Sequence, residues 1–129
     1  MKEFVTKDSG KRVDYDSGMK RDTQENKPRF DLITPLKIPY KESLQYRHAM
    51  IMKRGMEKYG ARNWEKANSV EEFFRFKASF MRHQTQFFSG ETDEDHAAAM
   101  EFNLNAIIYL MWLLNVNING ESLNKKNLV

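Results

Sequence analysis

The chain has 129 residues, a length that suits one domain with one moderate hydrophobic core. Its 21 Lys and Arg residues against 18 Asp and Glu give a formal net charge of +3. Because the positive and negative charges are nearly balanced, the composition argues against a duplex-DNA partner, but it suits a smaller anion such as a nucleotide. The sequence has no cysteine, which excludes disulfides and thiolate metal sites within it, and we therefore expect a cytoplasmic protein.

The apolar pattern does not predict a membrane partner. No apolar stretch typical of a signal peptide follows Met1, and the longest apolar run, from Ala106 to Leu114, has nine residues. A helix that spans a bilayer needs about 20. We therefore expect this run to form a buried helix.

Three helices are predicted after a polar N-terminal segment. Residues 1–39 are polar, carry turn dipeptides such as Ser9-Gly10, Ser17-Gly18 and Lys27-Pro28, and show no sustained apolar period, which predicts an irregular arm without strand hairpins. The first predicted helix, 40–60, ends at Gly60. The second predicted helix, 70–88, has Ser69 as its expected N-cap, and the acidic residues in its first turn stabilise the start of the helix.

The third predicted helix covers 93–115 and is followed by a loose tail at 117–129. It is apolar on nearly every side after Ala106, so we expect burial on several faces, within a bundle or at a subunit interface. The sequence therefore predicts a single all-α domain over 1–129, a small helical bundle with an irregular N-terminal arm. We also expect a homo-oligomer.

An acidic turn precedes the third helix. Glu91, Asp93, Glu94 and Asp95 place four carboxylates within five residues, directly before His96. Hard divalent cations take oxygen ligands, so this turn is one candidate for a metal site. The alternative is a solvated turn whose acidic groups face the helix dipole.

Two histidines flank this turn, one on each neighbouring helix. We expect His83 and His96 to converge there as catalytic groups, and the alternative is a hydrogen-bonded role in the core. His48 lies within the apolar stripe of the first helix, which favours a structural role.

Two basic and aromatic segments are candidates for nucleotide binding. Arg62 could contact a phosphate and Tyr59 or Trp64 could stack on a base, although Trp64 could equally fill the core beneath the loop. The second segment lies in the N-terminal arm, where the alternative is a solvated arm with one anchoring Phe. Its candidate residues are Lys20, Arg21, Lys27, Arg29 and Phe30.

Several common catalytic motifs are absent. The sequence has no GxxxxGK[ST] phosphate loop, no GxGxxG and no HExxH. An HD-type phosphohydrolase needs His before Asp, whereas this chain has Asp95 before His96.

Three blocks together resemble a phage family. They are Gly18-Met-Lys20-Arg21-Asp22 with Lys27-Pro28-Arg29-Phe30-Asp31; Gly55-x-Glu57-Lys58-Tyr59-Gly60-x-Arg62-Asn63-Trp64; and Arg82-His83 with Gly90-Glu91-x-Asp93-Glu94-Asp95-His96 and Asn103. Their order and spacing, over residues 18 to about 110, resemble the small phage proteins described as dATP/dGTP diphosphohydrolase N-terminal-like. That family is compared with the all-α MazG-like nucleotide pyrophosphohydrolases.

The resemblance implies a metal-dependent nucleoside triphosphate pyrophosphohydrolase in the host cytoplasm. It would cut purine deoxynucleotides between the α and β phosphorus atoms with Mg²⁺ or Mn²⁺. For this function we expect Glu57, Glu91, Asp93 and Asp95 as metal ligands and His83 and His96 as catalytic residues. The residues that we expect to bind the nucleotide are Lys20, Arg21, Lys27, Arg29, Phe30, Tyr59, Arg62, Asn63, Trp64 and Asn103.

One departure from the MazG pattern keeps a second function open. The pattern has a Glu-Glu-x-x-Glu helix and a later Glu-x-x-Asp helix, but Glu71-Glu72 is followed by Arg75 where the third carboxylate belongs. The alternative function is a non-enzymatic nucleotide-binding phage protein, such as a counter-defence factor that sequesters a signalling nucleotide. A structural or interaction module of the phage–host system is a third interpretation.

Overall fold

The computed structural model describes residues 4–124, with three α-helices, two short strands and short 3-10 turns. The chain divides into two compact units, Met1–Ile33 and Thr34–Val129. The second unit contains all three helices. The predicted all-α fold with an irregular N-terminal region is confirmed.

The N-terminal unit contains a hairpin that the sequence did not predict. Strand β1 (Arg12–Asp14) pairs antiparallel with β2 (Lys20–Asp22), with Val13 opposite Arg21. Gly18 adopts a φ of 90° in the turn, a conformation that glycine reaches without strain. Each strand has only three residues, with charged residues at both ends, so neither shows the apolar alternation by which strands are recognised.

Helices α1 (Leu44–Tyr59) and α2 (Val70–Phe88) begin at serine caps. The Ser43 Oγ accepts a hydrogen bond from the backbone N–H of Tyr46, and the Ser69 Oγ accepts one from the N–H of Glu72. The Glu72 carboxylate in turn accepts from the N–H of Asn68, which reinforces the cap. The predicted bounds of α2 are confirmed. Helix α1 begins four residues later than predicted, because Tyr40–Glu42 form a 3-10 turn before the Ser43 cap.

Helix α3 (His96–Leu114) packs against both α1 and α2. Its buried Ile107 and Leu110 meet Phe73 of α2 and Ala67 of the preceding loop. The Trp64 ring lies edge-on to Tyr109 at 5.4 Å and to Phe102 at 6.2 Å, so it covers this core.

One side of α3 carries large apolar side chains that the described chain does not bury. Leu104, Ile108 and Trp112 are 47%, 56% and 75% exposed. By length and composition α3 could cross a membrane, a test that the core helix of a soluble protein also passes, and 28% of its most apolar stretch is buried. Helix α3 is therefore buried on the faces that contact α1 and α2, but not on its remaining side, where burial was also expected.

The segment after α3 is more ordered than predicted. Val116 is buried and pairs with Ser122 in an antiparallel bridge, and the N–H of Leu123 donates to the carbonyl of Asn115 at 2.9 Å. A Cβ on Gly120 would lie 2.8 Å from the Phe74 ring, so this turn sits closely on α2. The remainder of the predicted loose tail, 125–129, lies outside the described residues.

Candidate functional site

The two histidines predicted to converge do meet, between the last part of α2 and the start of α3. His83 Nδ1 lies 2.8 Å from His96 Nδ1, and His96 Nε2 lies 2.8 Å from an Asp93 carboxylate oxygen. The histidines are 6% and 2% exposed, whereas Asp93 is exposed. The short turn at Gly90–Asp95 returns the chain antiparallel to α2, which brings residues 13 apart in sequence together.

Donors and acceptors can be assigned along the hydrogen-bonded series Asp93, His96 and His83. An ionised carboxylate only accepts hydrogen bonds, so His96 Nε2–H donates to Asp93. In neutral His96 the Nδ1 then accepts from His83 Nδ1–H, which leaves His83 Nε2 as an acceptor 3.3 Å from an Arg82 nitrogen. Burial and the Arg82 charge lower the pKa of His83, and the hydrogen bond from His96 lowers the pKa of Asp93. Both shifts favour a neutral His83 beside an ionised Asp93.

Asp95, predicted as a metal ligand, is occupied by a different partner. Arg47 of α1 donates two hydrogen bonds to its carboxylate, at 2.6 and 2.7 Å. The same carboxylate caps α3 by accepting from the N–H of Ala98 at 3.1 Å. The Arg47 contact lowers the pKa of Asp95. The structure therefore does not place Asp95 with the other predicted ligands.

Among residues 4–124, two groups of donor atoms could hold a cation, and both include His96. The first consists of His83, Glu94 and His96, and the second of Glu91, Asp93 and His96; within each group the donor atoms lie within 4.8 Å of one another. Glu57, also predicted as a ligand, belongs to neither group. Its exposed carboxylate is 4.0 Å from Lys53 Nζ on the same helix.

A cavity of about 630 Å³ opens among the three helices beside this cluster. His83, Glu94 and Asp95 line it, together with the predicted Asn103, whose buried amide donates to the carbonyl of Ala99. Sequence reasoning missed the cations on its wall, which are Arg54, Lys58 and Arg75.

These three cations, like many other Lys and Arg residues of the described chain, have no carboxylate partner within ion-pair distance. Within residues 4–124, none of Arg54, Lys58 and Arg75 forms an ion pair. They share the cavity lining with Glu94 and Asp95, and the charge of Arg54 is one of the causes that lower the pKa of Asp95. A usable signal was the spacing of Arg54 and Lys58, four residues apart on one helical face.

A second, more apolar cavity of about 270 Å³ shares a wall with the first, formed by Ile51, Gly55, Tyr59, Phe76 and Phe102. Its remaining lining brings together the predicted residues Arg62, Asn63 and Trp64. Arg62 is paired with Glu65 at 2.8 Å. The two cavities together offer a cationic side and an aromatic side.

The N-terminal candidates lie in the other unit. Arg21 and Lys27 line a cavity of about 520 Å³ there. Lys20 lies 3.5 Å from Asp14, and Arg29 makes a two-point ion pair with Asp31. Phe30, in a 3-10 turn (Phe30–Leu32), is 76% exposed.

Comparison with known proteins identifies the family. The family model described as dATP/dGTP diphosphohydrolase, N-terminal, matches residues 10–126. The chain belongs to this family. The match extends beyond the resembling blocks at both ends and includes both compact units. No curated protein and no solved structure matches the chain. Membership of the dATP/dGTP diphosphohydrolase N-terminal family thus rests on the sequence match.

Proposed function

We propose that this protein is a metal-dependent nucleoside triphosphate pyrophosphohydrolase that acts on purine deoxynucleotides. The observation that carries the proposal is the cavity of about 630 Å³, where three unpaired cations face a cluster of histidines and carboxylates. The family name supports a nucleotide substrate and a hydrolytic reaction. Cavities of this size are typical of small-molecule sites.

The cationic wall is proposed to bind the phosphates. A triphosphate carries several negative charges, with which the side chains of Arg54, Lys58 and Arg75 could form charge-assisted hydrogen bonds. The adjoining apolar cavity is proposed to hold the base against Tyr59 and Trp64. Arg21 and Lys27, with Lys20, Arg29 and Phe30 beside them in sequence, are proposed as a second anion-binding segment.

A divalent cation fits the residues present beside this cavity. Both donor groups offer three atoms close enough to bind one ion, with exposed carboxylates that leave room for water ligands. When bound, Mg²⁺ or Mn²⁺ would polarise a phosphoryl oxygen and lower the pKa of a water molecule. Of the originally predicted ligands, Glu91 and Asp93 remain available in this arrangement.

The histidines are proposed to have different roles. His83 lines the cavity and would orient the attacking water or a phosphate oxygen, so it is the proposed catalytic residue. His96 does not line the cavity and contacts His83 through Nδ1, so it is a positioning residue for His83. The water oxygen bonds to the α-phosphorus as the bond to the bridging oxygen breaks, so water is consumed and a monophosphate, pyrophosphate and a proton are released.

A second candidate function has its own support. Arg75, which stands where the MazG pattern has a carboxylate, lines the cavity as a cation, and Asp95 is committed to Arg47. Both features suit a protein that binds a nucleotide without cutting it. A screen of nucleoside triphosphates with and without Mg²⁺ or Mn²⁺ separates the two functions: turnover only with metal supports the hydrolase, and tight metal-free binding without turnover supports sequestration.

We also propose that the protein is a cytoplasmic homo-oligomer. The exposed apolar side chains of α3, Leu104, Ile108 and Trp112, would be covered by a second copy.

A further inference from the structure

We propose that the cation of this protein is held by His83, Glu94 and His96, and that the site selects a transition metal such as Mn²⁺ over Mg²⁺. The inference rests on the proposed function only for the cation's role in hydrolysis. The site itself follows from the arrangement of three side chains and can be tested without any nucleotide.

The first support is the approach of two buried imidazoles through the same ring atom. Their Nδ1 atoms are 2.8 Å apart, and each residue is more than nine-tenths buried. A neutral pair can place one proton between these atoms. The separation is also near that of two nitrogens bound at about 2.1 Å to neighbouring octahedral positions, which lie about 3.0 Å apart.

The second support is the orientation of His96 by Asp93. The Asp93 carboxylate accepts from His96 Nε2–H at 2.8 Å, and this fixes the Nδ1 lone pair toward His83. Metal-binding histidines characteristically donate their other ring N–H to a carboxylate in this way. Asp93 was predicted from the sequence as a direct metal ligand, but in this arrangement it orients the ligand His96.

The third support is the position of this donor group relative to the cavity. His83 and Glu94 both line the cavity of about 630 Å³, whereas Glu91 and Asp93 of the alternative group do not. A cation on His83, Glu94 and His96 would therefore keep its remaining positions toward the proposed phosphates. With a metal on Nδ1, His83 would carry its proton on Nε2 and would no longer accept from Arg82, which lies 3.3 Å away.

The donor types decide the metal. Two imidazole nitrogens and one carboxylate suit Mn²⁺, Fe²⁺, Co²⁺ or Zn²⁺, whereas Mg²⁺ prefers oxygen ligands throughout. An acidic turn alone would have favoured Mg²⁺. The buried histidine pair changes that expectation.

The test uses the full chain and Mn²⁺ alone. Calorimetric titration should show one Mn²⁺ bound more than about tenfold more tightly than Mg²⁺. Pulsed electron paramagnetic resonance should show ¹⁴N coupling from imidazole. Glu94→Gln, at an exposed position that does not threaten folding, should weaken Mn²⁺ binding strongly, as should His83→Gln and His96→Gln. Asp93→Asn should weaken it by about 10–100-fold with the nitrogen coupling retained.

Two matched variants complete the design. His48→Gln removes the third histidine, which lies 3.2 Å from Glu101, and should leave Mn²⁺ affinity unchanged. Glu91→Gln should also leave it unchanged. Absence of Mn²⁺ binding, binding without nitrogen coupling, or binding lost in Glu91→Gln but kept in Glu94→Gln would each overturn the site. Nitrogen-coupled Mn²⁺ binding without nucleotide turnover would instead refute the proposed hydrolase and leave the site standing.

Discussion

Arg47 and Asp95, 48 residues apart in sequence, join α1 to the first turn of α3 through two hydrogen bonds of 2.7 and 2.6 Å. The same carboxylate caps α3. This single side chain therefore fixes both where α3 begins and how α1 lies against it. The acidic turn directly precedes this first turn of α3, and both candidate donor groups contain His96, its first residue.

Two replacements of Asp95 should distinguish how much the helix cap and the ion pair each contribute to the free energy of unfolding. Asp95→Ala should lower the free energy of unfolding by about 2 kcal/mol, about 1 from the cap and about 1 from the partly hydrated ion pair. Asp95→Ser keeps a capping hydroxyl and should lose only about 1 kcal/mol. Urea denaturation measures both. Equal losses in the two variants would show that the cap contributes nothing, and an unchanged stability of Asp95→Ser would show that the Arg47 contact contributes nothing.

The pH dependence of that loss has a defined sign. The pKa of Asp95 is lower in the folded chain than its ordinary value of about 3.9. Its contribution is therefore fully present above about pH 4 and disappears as the pH falls through the lower, folded value. The stability difference between the natural chain and Asp95→Ala should shrink in acid and stay constant near neutrality.

The unpaired cations should dominate nucleotide affinity. Arg54→Gln, Lys58→Gln and Arg75→Gln should each weaken binding of a non-hydrolysable triphosphate about tenfold, which corresponds to about 1.4 kcal/mol. Lys53→Gln is the matched control, because Lys53 is an exposed cation of α1 that lies 4.0 Å from Glu57 and does not line the cavity. Calorimetry at fixed salt measures the affinities. An equal loss in Lys53→Gln would point to general charge attraction in place of a site.

The two aromatic candidates should behave differently. Trp64→Ala removes the contacts with Tyr109 and Phe102 and should lower the free energy of unfolding by about 2–3 kcal/mol, while Trp64→Phe should retain part of it. Tyr59 is 66% exposed, so Tyr59→Ala should change stability by less than about 0.5 kcal/mol. The nucleotide affinity of Tyr59→Ala should nevertheless fall. Unchanged affinity in Tyr59→Ala would remove Tyr59 from the proposed base site.

The exposed side of α3 tests the proposed oligomer. Light scattering at micromolar concentrations should give a mass above that of one 15.3 kDa chain. Ile108→Glu should reduce that mass to one chain without loss of helical circular dichroism, because Ile108 is 56% exposed and its replacement leaves the core intact. A single-chain mass for the natural protein would refute the oligomer.

The helices could be predicted because their signals are local. Apolar periodicity, the serine at position 69 and the glycine at position 60 define α2 and the end of α1 with little help from tertiary contacts. The start of α3 was placed three residues too early, because its cap is an aspartate in a run of acidic residues that all favour a helix start. The hairpin was missed because its two three-residue strands lack an apolar face.

The site was only partly predictable. The meeting of His83 and His96 followed from their places on either side of a short turn. The pairing of Asp95 with Arg47 did not, since nothing in a single sequence links residues so far apart. The cations of the cavity were missed because Arg75 lies on a different helix from Arg54 and Lys58, and an exposed arginine usually indicates only a solvated face.

The most direct test of the proposed function is the identity of the products. The full chain is incubated with dATP and dGTP in Mn²⁺, and the products are separated and weighed by mass spectrometry, with a chelator-treated sample beside it. The account predicts deoxynucleoside monophosphate and pyrophosphate, formed only with metal. A diphosphate with inorganic phosphate, or no turnover of either nucleotide in the presence of Mn²⁺ or Mg²⁺, would contradict it.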